Sequence, residues 1–431
     1  MKDALLVSMN GQTIGWLRLG KNARTSFTYD ETWRRSDGAY PLSLSMPLVS
    51  IEHGPEVVEA FLWGLLPDNE AVLERWARKF QISARNVFGL ITAVGEDCAG
   101  AAQFVDPERA NALNKGEEDK IEWLDDAQIA NRMRTLREDH AAWRLPRDTG
   151  QFSLAGAQPK TAFLYDNGRW GIPHGRIPTT HILKPPTGEF DGHAENEHIC
   201  LALARALGLS TAASRVVHFE GEVAIVIERY DRYRAGNEII RVHQEDTCQA
   251  LGIPPGRKYQ NENGPSPEQL VELIRTQSND AAADVETFVR ALAFNWLIAG
   301  TDAHAKNYSF LLAEGPRVRL APLYDIASAL PYPKLDRKKL KLAMKVGGEY
   351  LIEQIGIRQW KQSAKSLRVD QDRLVETMQT MSDQIPDEVE RLRLVSRDEG
   401  LKHKLIDQLT KNIAERARRC GELLRLPTEI A

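Results

Sequence analysis

The run Gly300-Thr301-Asp302-Ala303-His304-Ala305-Lys306-Asn307-Tyr308-Ser309 sets a carboxylate, an imidazole, an ammonium and a carboxamide close together, and Asp325 follows in Pro322-Leu323-Tyr324-Asp325. An Asp, an Asn five residues on and a further Asp are the oxygen groups that phosphoryl transfer asks for. One orients the acceptor hydroxyl, and the other two hold a cation against nucleotide phosphates. Asp302 is read as general base, Asn307 as an uncharged metal ligand, and Asp325 as the ligand bridging metal and phosphates. Hard oxygens of this kind suit Mg2+ and leave it partly hydrated. His304 is expected to brace the loop, and Lys306 either to approach the transferred phosphate or to stay in solvent. Each residue alone is weak evidence, since an Asp after a helix is commonly a cap or turn residue. The spacing of the set carries the reading.

A rigid element must deliver each group. An apolar helix predicted over 281–299 ends just before Asp302, and a short strand over 318–320 precedes Asp325. Upstream, strand patterns fall at 160–165, 181–184, 215–219 and 223–228, with one helix over 196–207 among them. That is the make-up of a small sheet lobe. Lys184 ends the second of these strands, where its ammonium could pair with phosphates, and Glu195 or Glu197 could pair with it in turn. Before the first strand lies Ser153-Leu154-Ala155-Gly156-Ala157-Gln158-Pro159-Lys160. Its small residues let backbone N–H groups approach phosphate closely, although it matches neither of the usual glycine-rich phosphate loops. Glu228-Arg229-Tyr230 closes the lobe, where a hinge would offer backbone groups and an aromatic face to adenine.

The first hundred residues open on a hairpin signal, 5–9 and 14–19 around Asn10-Gly11, and continue with helical periodicity over 56–65, 69–80 and 83–94. Residues 106–125 lose periodicity and gain charge, as a linker does. After Gln244 the pattern is mostly helical: 267–276, 281–299, 351–355, 371–381, 387–395 and 401–424. At 431 residues, 42% hydrophobic and 27% charged, the chain is long enough for two or three soluble domains. A net charge of −4 gives no footprint for tight DNA binding by this chain alone. The start of the chain lacks a long apolar run, so a cytoplasmic protein with no membrane partner is expected. Cys98, Cys200, Cys248 and Cys420 lack CxxC spacing and are read as buried thiols. The basic run Arg337-Lys338-Lys339-Leu340-Lys341 is read as a solvated loop or a substrate contact.

Six ordered segments resemble the HipA-type serine/threonine kinases, toxins of HipA-HipB toxin-antitoxin pairs. They are the loop from Ser153 to Ala162, Pro178 to Lys184, Gln244-Glu245-Asp246-Thr247-Cys248-Gln249, Thr301 to Asn307, Tyr324-Asp325-Ile326 and Lys341-Leu342-Ala343-Met344. The stretch from Phe61 to Asn69 resembles the extra domain that such toxins carry. The resemblance implies an α+β chain with a two-lobed protein-kinase-like fold, a small N-terminal α/β domain and a mostly helical C-terminal lobe. The expected segments are 1–105 for the N-terminal domain, 106–150 for linker and helix, 151–240 for the sheet-rich lobe and 241–431 for the helical lobe. It also implies ATP and Mg2+, with Asp302 as base, Asn307 and Asp325 on the metal, Lys184 on phosphate, and Glu228 with Tyr230 at adenine. Ser153 would be an autophosphorylation site whose modification ejects its loop. Pro159 departs from the acidic residue expected there and stiffens the loop. The implied partners are a HipB-like helix-turn-helix antitoxin, DNA mainly through that antitoxin, and an aminoacyl-tRNA synthetase, glutamyl-tRNA synthetase foremost, as substrate. Two alternatives are a catalytically quiet corepressor scaffold, against which the full set with Lys184 argues, and a kinase of another acceptor.

Overall fold

The computed structural model describes residues 3–21, 24–143, 153–188, 190–236, 238–315 and 317–427. The expected boundary at 150–151 and the return of strand signal at Phe152 lie outside them. The chain folds as two compact units. The first comprises Met1–Pro185, Val217–Gly256 and Ser309–Ala321, and the second Pro186–Val216, Arg257–Tyr308 and Pro322–Ala431.

In the first unit Asn10 and Gly11 both take positive φ, 46° and 79°, as a two-residue hairpin turn requires. They join β1 (Ala4–Met9) to β2 (Gln12–Leu19), paired from Ala4 opposite Arg18 to Met9 opposite Gln12. With β3 (Thr25–Tyr29), β4 (Glu52–His53) and β5 (Ala102–Val105) these make a sheet of order β4-β3-β2-β1-β5. The intervening helices are α1 (Glu31–Arg34), α2 (Pro55–Gly64), α3 (Glu70–Phe80) and α4 (Val87–Val94). Phe61, Leu62, Leu90 and Ile91 of α2 and α4 are fully buried, as are Leu5, Val7, Ile14, Leu17 and Phe27 of the sheet. Alternation along the strands and helical spacing along α2 thus both reach the core.

The stretch 106–125, expected as a linker, instead carries α5 (Ala110–Lys115) and β6 (Lys120–Leu124). Lys120 and Glu122 lie on an edge strand that is half-buried at best. Charges on a strand's solvent side mask the alternation, and they are what a sheet edge needs to avoid wrong pairing. Next come α6 (Asp126–Glu138), β7 (Thr161–Asp166), β8 (Arg169–His174), β9 (His181–Lys184), α7 (His193–Ala206), β10 (Ser214–Phe219) and β11 (Glu222–Glu228). The six-stranded sheet has the order β10-β11-β9-β7-β8-β6. A hairpin of β12 (Arg232–Ala235) and β13 (Glu238–Arg241) leads to a third sheet, in which β14 (His243–Asp246), β15 (Ser309–Ala313) and β16 (Arg317–Leu320) lie in chain order.

Beyond α8 (Thr247–Ala250), the second unit holds α7 with α9 (Pro267–Gln277), α10 (Ala281–Ile298), α11 (Ile357–Ser366), α12 (Gln371–Asp398) and α13 (Leu405–Arg425). It also holds the ribbon of β17 (Lys341–Val346) and β18 (Glu349–Leu351). The two expected helices 371–381 and 387–395 are one, running through Pro386. A mid-helix proline costs about 3 kcal/mol. Burial of Met378, Met381, Ile385 and Val389, on a helix that packs against α13, outweighs it. Helical signal at 351–355 resolves into one 3-10 turn, Ile352–Gln354. All four cysteines are buried thiols.

Candidate active site

Helix α10 is apolar almost all round and buried, so its C-terminus is a fixed point. It ends on Ala299 in the left-handed region, φ 54°, which is uncommon without glycine. Gly300 follows with its N–H on the Asn295 carbonyl at 2.7 Å, and a β-carbon there would collide with the Asn295 side-chain oxygen. The exit from the helix is therefore over-determined. Asp302 comes next, and its carbonyl accepts both the His304 N–H and the Asn307 amide nitrogen, each at 2.8 Å. One tight turn thus sets the base and the amide together. The amide nitrogen of Asn307 is spent inside the loop, which leaves its oxygen for a cation. The Asp302 carboxylate is exposed and accepts the Tyr259 hydroxyl at 2.6 Å. His304, buried, lies edge-to-face against Tyr259 with centroids 4.9 Å apart, as a brace would. Lys306 is buried and not solvated.

Asp325 also sits in the left-handed region, φ 57°. Such strain persists where the surroundings impose it, and here they do. Leu323 exchanges backbone bonds with Ser210 and Ala212. Tyr324 donates its hydroxyl to the Lys306 carbonyl at 2.6 Å. Ser328 donates to the Ile298 carbonyl at 2.6 Å, and the Ala329 N–H reaches Ala299 at 3.0 Å. Asn196 of α7, wholly buried, holds both the N–H and the carbonyl of Ser328. Asp302, His304, Lys306, Asn307 and Asp325 are thus all tied to one helix end in one unit. Tyr259, Asn196 and Ser328 were missed in the sequence. Tyr259 lies in an aperiodic stretch that gives no signal, whereas an Asn on the apolar face of α7 was a visible one.

Glu195 and Glu197 lie buried on α7 in the second unit, and the remaining expected residues lie in the first. Lys184 is buried on β9, opposite Ile225 of β11, and Glu228 is exposed at the end of β11, opposite His181. Tyr230 donates its hydroxyl to Gln244, and burial pushes that hydroxyl's pKa up. The small-residue loop is docked on the N-terminal module: Ser153, fully buried, donates Oγ to the Leu65 carbonyl at 2.8 Å and its N–H to Asp97 at 3.0 Å. Gly156 turns at φ 98°, pairs with Pro67 and accepts the Asp68 N–H, while Ala155 and Ala157 are partly open to solvent. Lys160 donates to the Ala155 carbonyl at 2.8 Å and lies over the Trp143 ring.

A buried ionic cluster backs this surface. Asp97 faces Arg232 at 2.9 Å, Arg241 at 3.4 Å and Arg229 at 3.6 Å, and Asp231 pairs with Arg229 and Arg232. Burial alone would raise the Asp97 pKa, and the three guanidiniums carry it well below the carboxylate range instead. Gln244-Glu245-Asp246-Thr247-Cys248-Gln249 does the same structural work. Glu245 accepts Ser43 Oγ and Leu44 N–H, and Gln249 caps α8 and donates to Phe61.

The donor set fits magnesium brought by a nucleotide. Among the described residues no group of three or more His, Cys, Asp or Glu could hold a metal by itself. A kinase-type site does not require one, because phosphates and water complete the shell.

The fold is kinase-like and mixed α/β, and the protein is an enzyme, a phosphotransferase of the kinase class. Residues 5–105 match the HipA N-terminal domain and residues 152–389 the HipA-like C-terminal domain. The Sinorhizobium fredii protein named "Putative kinase Y4mE" is 33% identical over 422 residues, covering 96% of this chain and 97% of that one. The serine/threonine-protein kinase toxin HipA of Shewanella oneidensis is 29% identical over 398 residues, 89% of this chain and 87% of that one. A chain from the solved complex of HipA, HipB and operator DNA of Shewanella oneidensis MR-1 superposes with a TM-score of 0.83 at 25% identity, covering 97% and 98% of the two chains. The chain belongs to the HipA family. No helix among the described residues is long and apolar enough to cross a membrane.

Proposed function

We propose that this chain is an ATP- and Mg2+-dependent serine/threonine-protein kinase and the toxin of a toxin-antitoxin pair. The observation that carries the reading is the turn in which the Asp302 carbonyl takes both the His304 N–H and the Asn307 amide. It presents a carboxylate for the acceptor hydroxyl and an amide oxygen for the metal on one support, with Asp325 clamped to the same helix end. In the reaction the acceptor oxygen attacks the γ-phosphorus, the bond to the β,γ-bridging oxygen breaks, ADP leaves and Asp302 takes the hydroxyl proton. Lys184, Lys306 and the loop of Ser153, Ala155, Gly156, Ala157 and Lys160 serve the phosphates, and Glu228 with Tyr230 serves adenine. The four segments 1–105, 106–150, 151–240 and 241–431 belong to the same reading.

Ser153 is the self-modification site in this reading. Its hydroxyl, buried on Leu65, must leave that pocket to react, and a phosphate of about −2 charge has no place there afterwards. The modified loop stays out and the enzyme is off. A HipB-like DNA-binding antitoxin is the partner and an aminoacyl-tRNA synthetase, glutamyl-tRNA synthetase first, the substrate, in the cytoplasm. The supports are the Shewanella relatives, one named a kinase toxin and one solved with HipB and operator DNA. The test is intact mass before and after ATP and Mg2+ for the wild type, Asp302→Asn and Ser153→Ala. One added phosphate on the wild type and none on either variant is expected. No gain in protein first shown to be unphosphorylated, with nucleotide binding intact, would sink the self-modification and move the reading to a quiet scaffold or a kinase of another acceptor.

A further inference from the structure

The segment from Lys334 to Lys345 carries Lys334, Arg337, Lys338, Lys339, Lys341 and Lys345 against a single acid, Asp336, in a chain whose net charge is −4. All six cations are exposed. Among the described residues, a carboxylate comes within ion-pair distance of only one of the six, Lys339, with Asp336 at 3.7 Å. The run is also not a loose loop. It opens β17, whose partner strand is β18, and the Lys345 N–H donates to the Gln260 side chain at 2.7 Å. Gln260 directly follows Tyr259, whose hydroxyl holds the Asp302 carboxylate at 2.6 Å. Two bonded steps therefore join the ribbon to the residue read as the general base, all within the second unit. The acids near this path, Asp336, Glu262 and Glu349, are outnumbered.

We infer that this lysine ribbon is the docking surface for an acidic protein acceptor, one whose phosphorylated Ser or Thr is flanked by Asp and Glu. The inference rests on the kinase reading and names the acceptor class for the same site. Charge complementarity selects the occupant. Lysines are mobile point charges that meet scattered carboxylates without a fixed geometry, and steering by such a field raises the rate of encounter with an acidic partner. Single-stranded RNA is the lesser fit. Its readers add aromatic platforms, and the nearby ring of Tyr350 is already covered by the Lys345 ammonium at 5.1 Å.

The experiment uses the full chain with ATP and Mg2+ and two protein probes, dephosphorylated casein as the acidic acceptor and histone H1 as the basic one. Initial rates are taken before Ser153 fills, since its phosphate turns the enzyme off, and intact mass then follows Ser153 in the same tubes. The wild type is expected to phosphorylate casein with a KM about tenfold below that for histone H1, and added salt should erase the gap because exposed charges are screened beyond about 10 Å at 0.1 M. The charge reversal Lys338→Glu with Lys339→Glu and Lys341→Glu should raise the casein KM about tenfold, with kcat and the Ser153 mass gain kept. The neutralised pair Lys338→Gln with Lys341→Gln should fall between, which guards against a misfolded triple variant. Equal use of both probes, or a casein preference that survives the reversal, overturns the inference while the Ser153 gain shows the kinase reading intact. Polyuridylate binding that is lost in the reversal while casein kinetics stay unchanged overturns it in favour of RNA. No phosphate on casein, histone H1 or Ser153 with the wild type removes the kinase reading, and this inference with it.

Discussion

At the scale of single residues, the assignments separate by what each side chain already does. Asp302 keeps its carboxylate at the surface and accepts the Tyr259 hydroxyl, so a base and its support can be tested apart. Asp302→Asn preserves shape and removes basicity, and phosphoryl transfer should fall about 100-fold or more with nucleotide affinity unchanged. Tyr259→Phe removes one hydrogen bond to a charged group and should cost roughly tenfold in kcat. Single-turnover transfer, beside nucleotide titration, reads both. Glu245 offers a pH test. Burial raises its pKa from 4.5 to about 8, against the opposing pull of its bonds from Ser43 and Leu44. A folded pKa above the unfolded one means the stabilising proton is fully counted below pH 4.5 and lost as pH rises to about 8. Urea midpoints of the wild type should therefore decline across that window. Those of Glu245→Gln, which stays neutral, should decline less, and equal slopes would refute the assignment.

At the scale of elements, the legible parts were those whose signal is local. Asn10-Gly11 announced its hairpin, and the helix that precedes Asp302 ended within one residue of its expected bound. What was illegible depended on distant partners. The edge strand β6 reads as charged linker because only its pairing with β8 makes it a strand. Pro386 reads as a break because the packing of α12 on α13 is invisible along the chain. The spacing of Asp302, Asn307 and Asp325 was visible, whereas the left-handed turns at Ala299 and Asp325 that aim them were not. The Ser153 loop was visible as small residues, but not its docking on Leu65, Pro67 and Asp97. That docking makes a prediction for the element. Gly156 has φ 98°, and a β-carbon would lie 2.6 Å from the Lys160 ammonium, so Gly156→Val should unseat the loop. Amide exchange over 153–160 should quicken by about tenfold or more, and phosphate uptake at Ser153 should quicken with it.

At the scale of the whole molecule, buried polar groups tie the N-terminal module into the first unit. Asp97 comes from the turn before β5, and its three arginine partners from the segment around β12 and β13. Three guanidiniums and two carboxylates form the cluster, so the charges nearly balance only while Asp97 is ionised. Removing one partner of a buried ion pair typically costs 3–5 kcal/mol because the other charge is left uncompensated. Asp97→Asn keeps the volume and some bonds to Thr179, which gives the milder expectation of about 3 kcal/mol. The loss should be confined to the first unit, since the cluster lies wholly inside it. Hydrogen exchange under increasing urea resolves this: peptides of β1, β5, β9 and β11 should open at lower urea in the variant, while those of α10, α12 and α13 keep their wild-type profile. A uniform shift of both units would mean that they unfold as one body, and that the cluster stabilises the entire enzyme. Asp97 also takes the Ser153 N–H through its backbone carbonyl, which the variant keeps, so the loop is freed only as the turn carrying that carbonyl loosens with the cluster. Its rate of phosphate uptake at Ser153, measured at low urea, ought to rise even as its stability falls.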